Sequence, residues 1–272
     1  MHELLLYGQV PAPRHDQVLK ILAGVAALQP RRLLARHIIY KPQRAPDEPG
    51  SHLRRGGTQA IGGKNHKQPV AKDLYYSQLV QKLSEEDLNR SGPQPSNGSS
   101  STGGTGSGAE PKWTIEFQDV PDTGDRGVSI RMTTSTGILS GDPHAYMLSN
   151  GPNQFMSEYY VEGHQIVHGN VVVFLHRVLH DSSGTSPKAN LPKFTELKPF
   201  DPSGAYILEA KVQVQEFNNT NVLEAGVDEL KRFQSQMKGC VELSVPDRLS
   251  LDTRVKYKAA APSSKKAQPG AR

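Results

Sequence analysis

One stretch of the sequence constrains the fold more than any other. Residues 158–180 have the sequence EYYVEGHQIVHGNVVVFLHRVLH, in which two runs of β-branched and aromatic side chains flank His168-Gly169-Asn170. Because Gly and Asn accept the backbone angles of a tight turn, the stretch predicts a β-hairpin. Gly163, inside the first run, predicts a bulge in that strand. The chain is therefore expected to build an antiparallel sheet around this hairpin.

Further strands are predicted on both sides of the hairpin. Runs of alternating or continuous apolar residues occupy 3–10, 33–40, 113–120, 127–138 and 205–214, and shorter runs occupy 241–245 and 248–257. The first of these strands is expected to pair with one far along the chain. The set as a whole predicts an antiparallel sheet or barrel.

Two helices are predicted to accompany the sheet. The first lies between Asp16 and Pro30, where apolar residues recur at helical spacing. The second follows the capping residues 219–221 and ends at Gly239. Its apolar face, which is expected to pack against the core, is formed by Leu223, Val227, Leu230, Phe233 and Met237. A short amphipathic segment, 74–88, is expected to be helical as well.

The predicted barrel domain occupies residues 1–258 and is interrupted by two flexible insertions. Residues 41–70 are rich in Pro, Gly and basic side chains, and residues 89–111 contain the run SGPQPSNGSSSTGGTGSG, which has nothing to bury. Residues 259–272 predict a disordered tail. These segments explain why the hydrophobic share of 35% is below that of an ordinary globular protein.

Composition limits the compartment and the ligands. Cys240 is the single cysteine, which excludes an internal disulfide and a cysteine-built zinc site and fits a reducing compartment. The first residues lack the features of a signal peptide, and no apolar run is long enough for a membrane span. A net charge of +5 leaves open a nucleic-acid-binding module. However, the basic residues are scattered and lack flanking aromatics, which favours solvated loops and tails.

The hairpin histidines do not predict a metal site. His164, His168, His176 and His180 are separated by four, eight and four residues. Four residues of a strand span about 13 Å, whereas two ligands of one zinc each lie about 2 Å from it. We therefore expect these histidines at the rim and on the surface. Phosphate-loop and G-x-S-x-G motifs are also missing, so we assign no catalytic, cofactor-binding or metal-binding residue and no cofactor.

Five segments in consistent order together resemble the Mediator subunit 18 family of fungi. They are residues 2–11, 113–131, 158–178, 205–214 and 228–255. The resemblance implies an α+β, mainly β fold: a closed, mostly antiparallel β-barrel with flanking helices, similar to the triphosphate-tunnel barrels. It also implies a nuclear, non-catalytic subunit that helps Mediator contact RNA polymerase II. The implied partners are Mediator subunit 20, as a heterodimer, and a C-terminal helix of Mediator subunit 8, with no sequence-specific nucleic acid and no membrane.

The kinship with tunnel barrels supplies a rival function, a metal-dependent polyphosphate or RNA triphosphate hydrolase. Such enzymes hold metal ions with inward-facing carboxylates and carry the signature E-x-E-x-K near the N-terminus. Here the frame that starts at Glu3 has Leu5 and Tyr7 in place of the second Glu and the Lys. A second frame is also one carboxylate short, with Ile207, Glu209 and Lys211. Since metal catalysis needs several oxygen ligands at each ion, the sequence favours the non-catalytic subunit.

Overall fold

The computed structural model describes residues 1–43, 73–84, 112–149, 153–181 and 191–256. Within these ranges nine strands form a single sheet. They are β1 His2–Val10, β2 Arg31–Pro42, β3 Ser77–Leu83, β4 Trp113–Gln118, β5 Ser129–Ile138, β6 Asn153–His168, β7 Val171–His180, β8 Lys198–Pro199 and β9 Tyr206–Val214.

Eight of these strands close into an antiparallel barrel. The hydrogen-bonded order is β6-β2-β3-β4-β5-β1-β9-β7, and the pairing of β7 with β6 completes the ring. The short β8 adds to β7 through His180 and Lys198. The first strand pairs with β9 and β5, both far along the chain, as the sequence predicts. The closed barrel of the α+β class is therefore confirmed.

Three α-helices accompany the barrel in the described part of the chain: α1 His15–Ala26, α2 Pro143–Ser149 and α3 Thr220–Met237. Two of them, α1 and α3, were predicted. The side chain of Asn219 accepts a hydrogen bond from the backbone N–H of Asn221 at the start of α3, and Gly239 follows its end with a φ of +84°. None of the described helices is long and apolar enough to cross a membrane.

The main hydrophobic core lies between the outer face of the barrel and helices α1 and α3. Leu4 and Leu6 of β1 are fully buried there, together with the apolar face of α3. Gly226 allows a close approach, because a Cβ at this position would lie 2.9 Å from Leu4 Cδ1. Leu4 and Leu6 therefore point away from the barrel interior. Because side chains alternate along a strand, Glu3, Leu5 and Tyr7 point into the barrel.

The hairpin is confirmed, but the prediction of a bulge at Gly163 is wrong. The register shifts between Ile39 and Tyr40 of β2, opposite Met156, whereas Gly163 pairs regularly. A Cβ at Gly163 would lie 2.6 Å from the Cβ of His176. Glycine is therefore required there because the neighbouring strand approaches closely.

The segment 74–88 is not helical where the structure describes it. Residues Ser77–Leu83 form β3, which pairs with β2 on one side and β4 on the other. Leu79 and Gln81 are fully buried in this arrangement. Hydrogen bonding to two neighbouring strands therefore overrides the weak helical pattern of the local sequence.

The two strands predicted at 241–245 and 248–257 do not form. Single bridges join Ser244 to Tyr7 and Arg254 to Tyr75, and Arg248–Leu251 is a turn of 3-10 helix. The carboxylate of Asp247 accepts the N–H of Leu249 and stabilises that turn. β1 pairs with β5 only from His2 to Leu5, so its edge at Tyr7 is free, but the segment takes it up with a single bridge and forms no strand.

The division into a domain, insertions and a tail stays a prediction. The insertion at 89–111 and the tail at 259–272 lie outside the described residues, as does the insertion at 41–70 except for its first three positions. Two of those positions, Lys41 and Pro42, belong to β2.

Candidate functional site

The barrel encloses a polar interior that opens at its mouth into a cleft of about 1640 Å³. Among the described residues, β1, β4, β5 and β9 contribute charged side chains to the centre of this interior. They include Glu3, Glu116, Arg131, Glu209 and Lys211. The interior is the place where a tunnel enzyme would hold its metal ions, so its charge pairing decides between the two predicted functions.

Glu3 forms a buried ion pair with Arg131. The two residues lie directly opposite each other on β1 and β5, and Arg131 Nε donates a hydrogen bond to Glu3 Oε1. Their exposed fractions are 4% and 6%. The carboxylate that aligns with the first acid of the tunnel signature is therefore neutralised by a cation of the same protein.

The second acidic position is also paired within the barrel. Lys211 Nζ lies 3.6 Å from Glu209 Oε1, and Tyr7 is directly opposite Glu209 on the neighbouring strand. Burial, and next the charge of Glu209, raises the pKa of the Tyr7 phenol, so this hydroxyl stays protonated. Tyr7 therefore acts as a neutral hydrogen-bonding neighbour of Glu209, where a tunnel enzyme has a cationic Lys.

Glu116 is the interior acid without an ion-pair partner among the described residues. Burial raises the pKa of its carboxyl group, and the nearby Lys211 acts in the opposite direction. No three His, Cys, Asp or Glu side chains are placed to hold a metal ion in the part of the chain that the structure describes.

Two histidines occupy the interior as neutral groups. The ring of His37 stacks on Tyr159 with centroids 4.9 Å apart, and Gln78 hydrogen-bonds to His37 Nδ1. Burial, together with the nearby His176, lowers the pKa of His37 to about 3. Burial also lowers the pKa of His176. The expectation that His176 lies at the rim or surface is therefore wrong, because its strand turns this side chain inward.

The structure does not bring the four hairpin histidines together. Because His176 pairs with Gly163 across the hairpin, His164 points to the opposite face, where its ring lies 5.5 Å from that of His15. His168 contacts Phe233 near the turn. His180 lies at the other end of β7, near Phe200.

The neutral, buried state of His37 predicts a loss of stability in mild acid. In the unfolded chain His37 takes up a proton as the pH falls through about 6.5, whereas in the folded chain it stays neutral down to a pH of about 3. The unfolded state therefore binds more protons in this window, and the free energy of unfolding falls as the pH is lowered. From this residue we expect a loss of about 2 kcal/mol between pH 7.5 and pH 5, measured by urea denaturation.

The variant His37→Gln is expected to flatten this pH dependence, while His180→Gln, at the end of β7, should leave the slope unchanged. His176 acts in the same direction as His37, so part of the slope will persist in the first variant. A wild-type stability that stays constant from pH 7.5 to pH 5 would contradict the assignment of a buried neutral His37.

Sequence reasoning missed Glu116, Arg131 and His37 as interior residues. Each lies in a strand that the sequence predicts, and Arg131 pairs directly with Glu3, the first acid of the E-x-E-x-K frame. The alternation of side chains could have placed them on one of two faces. Only the closure of the barrel defines which face is inside.

In the described residues, a closed antiparallel barrel with flanking helices has inward acids that are mostly paired with its own cations, which defines a barrel protein whose interior is not arranged to hold metal ions. The family model described as Med18 protein matches residues 2–254. The chain belongs to the Mediator subunit 18 family.

Relatives of similar length support this membership. The chain is 36% identical to "Mediator of RNA polymerase II transcription subunit 18" of Aspergillus oryzae over 277 residues, which cover 94% of this chain and 100% of the relative. It is 34% identical to the protein of the same name from Aspergillus fumigatus, with the same coverage. A chain in the structure of the Schizosaccharomyces pombe Mediator head module has a similar fold, with a TM-score of 0.64 at 16% identity, covering 90% of this chain and 99% of the other.

Family membership confirms the resemblance predicted from the sequence. The matched relatives are named as subunits of Mediator, and membership of this family confirms the prediction of a non-catalytic subunit. The polyphosphate hydrolase alternative is not favoured.

Proposed function

We propose that this chain serves as a subunit of the Mediator coactivator, in its head module, and that it works through contacts between proteins. The observation that carries the proposal is the match to Mediator subunits along 94% of the chain and the full length of the relatives. In this role it helps to link gene-specific regulators to RNA polymerase II, and its place of action is the nucleus.

The barrel interior supports a structural role. Glu3 and Glu209 each have a cationic neighbour inside the barrel. A metal ion would have to displace Arg131 or Lys211 before it could bind the same carboxylates, and catalysis by a metal needs several oxygen ligands at each ion. The interior charges therefore serve to hold the strands together.

The direct partners that we propose are Mediator subunit 20, as a heterodimer, and a C-terminal helix of Mediator subunit 8. Large apolar side chains on the surface support a role in docking proteins. Leu139, Tyr146 and Leu148, on and beside α2, are 87%, 48% and 57% exposed, and Phe200 at the mouth of the barrel is 71% exposed. Exposed apolar groups of this size favour burial against a partner.

Co-expression of the full chain with subunits 20 and 8 of a fungal relative tests these partners. We expect a complex with one copy of each, detected by size-exclusion chromatography with light scattering. The matched control uses subunit 8 without its C-terminal helix, which should leave only a heterodimer with subunit 20. Elution of the chain as a monomer beside the other two proteins would contradict the proposed partners.

A further inference from the structure

Two histidines from different elements face each other outside the barrel. His15 is the first residue of α1, and His164 lies on β6. Nε2 of His15 and Nδ1 of His164 are both buried and make no hydrogen bond within the described part of the chain. Buried polar atoms almost always have a partner, so unpartnered nitrogens on two neighbouring rings indicate a site for a ligand.

The separation of the two rings fits a shared metal ion. Their centroids are 5.5 Å apart and their planes are inclined by 49°. Two imidazoles on one tetrahedral zinc, each with a Zn–N distance of about 2 Å, have centroids about 5–6 Å apart. The separation of the two rings is therefore the one expected for two imidazoles that share one ion.

A carboxylate next to the first ring favours one of its tautomers. Nδ1 of His15 lies 2.8 Å from Oδ1 of Asp16. When Nδ1–H donates to this carboxylate, Nε2 carries a lone pair and can bind a metal, which is the usual arrangement of metal-binding histidines. The same arrangement disfavours an anion, because an anion needs a donor and Nε2 offers none. The ring of Tyr206, with its centroid 4.2 Å from that of His15, holds the imidazole in place.

The surroundings permit a cation. Arg32 lies opposite His164 on β2, and Arg177 lies over the ring of Tyr206. Both donate to the carboxylate of Glu162, which compensates part of their charge. The side chain of His15 is 15% exposed although its Nε2 is buried, so the ring lies near solvent and has to move for an ion to reach that nitrogen.

We propose that His15 Nε2 and His164 Nδ1 form a binding site for a transition-metal dication of the zinc, copper and nickel group. Imidazole nitrogens suit these ions, whereas calcium and magnesium need oxygen ligands. Water or a group from another protein completes the coordination. This site goes beyond the Mediator role and does not depend on it. It also departs from the prediction of no metal-binding residue, which compared His164 only with the other hairpin histidines.

The test uses the full chain with any affinity tag removed, titrated with zinc alone in a calorimeter. We expect one zinc ion per chain, and we expect His15→Ala and His164→Ala each to weaken binding at least tenfold. Asp16→Asn should weaken binding about tenfold, as loss of a carboxylate behind a metal-binding histidine does. The matched control is His168→Ala, on the same strand but near the turn, which should bind zinc like the wild type.

Copper provides a second measurement that does not depend on affinity. The electron paramagnetic resonance spectrum of the wild type with one equivalent of Cu²⁺ should show coupling to two nitrogens, and the spectra of the His15→Ala and His164→Ala variants should not. If His15→Ala lowers the melting temperature of the metal-free chain, its zinc affinity is not informative. The Asp16→Asn variant then tests the site, because the Asp16 side chain is 87% exposed and its replacement should not destabilise the fold. A wild type that binds no zinc at micromolar concentration, or a His15→Ala variant that binds as tightly as the wild type, would overturn the proposal.

Discussion

Replacing Arg131 by methionine is expected to lower the free energy of unfolding by about 3–5 kcal/mol. Methionine has about the length of arginine but carries no charge. The substitution therefore leaves the buried carboxylate of Glu3 without its cation. An ionised carboxylate that is 4% exposed and has lost its cation is costly to keep in the barrel. Urea denaturation of the purified chain, followed by circular dichroism, measures the effect.

Two further variants separate the lost pair from lost packing. The double variant Glu3→Met with Arg131→Met should regain most of the stability, because apolar replacement of a whole buried ion pair is often neutral or stabilising. Arg32→Met removes one partner of the more exposed pair with Glu162 and should cost at most about 1 kcal/mol. If Arg131→Met is no more harmful than Arg32→Met, the pair does not hold the barrel as described.

Truncating Phe233 to alanine is expected to cost about 3–5 kcal/mol, the usual range for a buried phenylalanine. Phe233 is 2% exposed and belongs to the core between α3 and the barrel. Helix α3 lies over β9 and β1. A cavity left by the Phe233 side chain therefore weakens the packing of α3 on β1, the strand that carries Glu3. We expect both thermal and urea denaturation to show this loss of stability.

The matched control is Val222→Ala on the same helix, where the side chain is 41% exposed. We expect this variant to change the free energy of unfolding by about 0.5 kcal/mol or less, since exposed substitutions away from special features have small effects. Equal losses from Phe233→Ala and Val222→Ala would mean that α3 does not cover the barrel as the structure shows.

The sequence alone predicts the elements whose local pattern and tertiary environment agree. The hairpin is the clearest case: its turn at Gly169-Asn170 suits the backbone, and the turn is also anchored to α3, because Asn170 donates two hydrogen bonds to Glu229. Helix α3 combines a cap, an apolar face and a terminal glycine in the order that a helix requires. Such consistency makes these predictions robust.

The predictions that are wrong concern segments whose structure depends on contacts with distant parts of the chain. Strand β3 is short and its sequence fits a helix, but its neighbours β2 and β4 supply hydrogen bonds on both sides. The segment after α3 has strand-like composition, yet it meets the sheet only through single bridges, from Ser244 to Tyr7 and from Arg254 to Tyr75. Neither fact can be obtained from a local window of sequence, because both depend on which strands are neighbours.

In the candidate site, too, the local sequence predicts some features, and contacts between distant strands determine others. Alternation correctly placed Glu3, Leu5 and Tyr7 on one face of β1, and the lack of a second carboxylate there was evident from the sequence. The partner of Glu3 was not, because the pairing with Arg131 depends on the register between two strands that are more than a hundred residues apart. The inward position of His176 likewise follows from the closure of the barrel.

The most direct test of the central claim is a quantitative purification of the tagged full chain from nuclear extract, with the co-purifying proteins measured by mass spectrometry. A non-catalytic Mediator subunit predicts near-equimolar recovery of other Mediator subunits and no metal-dependent hydrolysis of triphosphate by the eluate. Recovery of the chain alone, as a soluble monomer that hydrolyses triphosphate when a metal ion is added, would contradict the account.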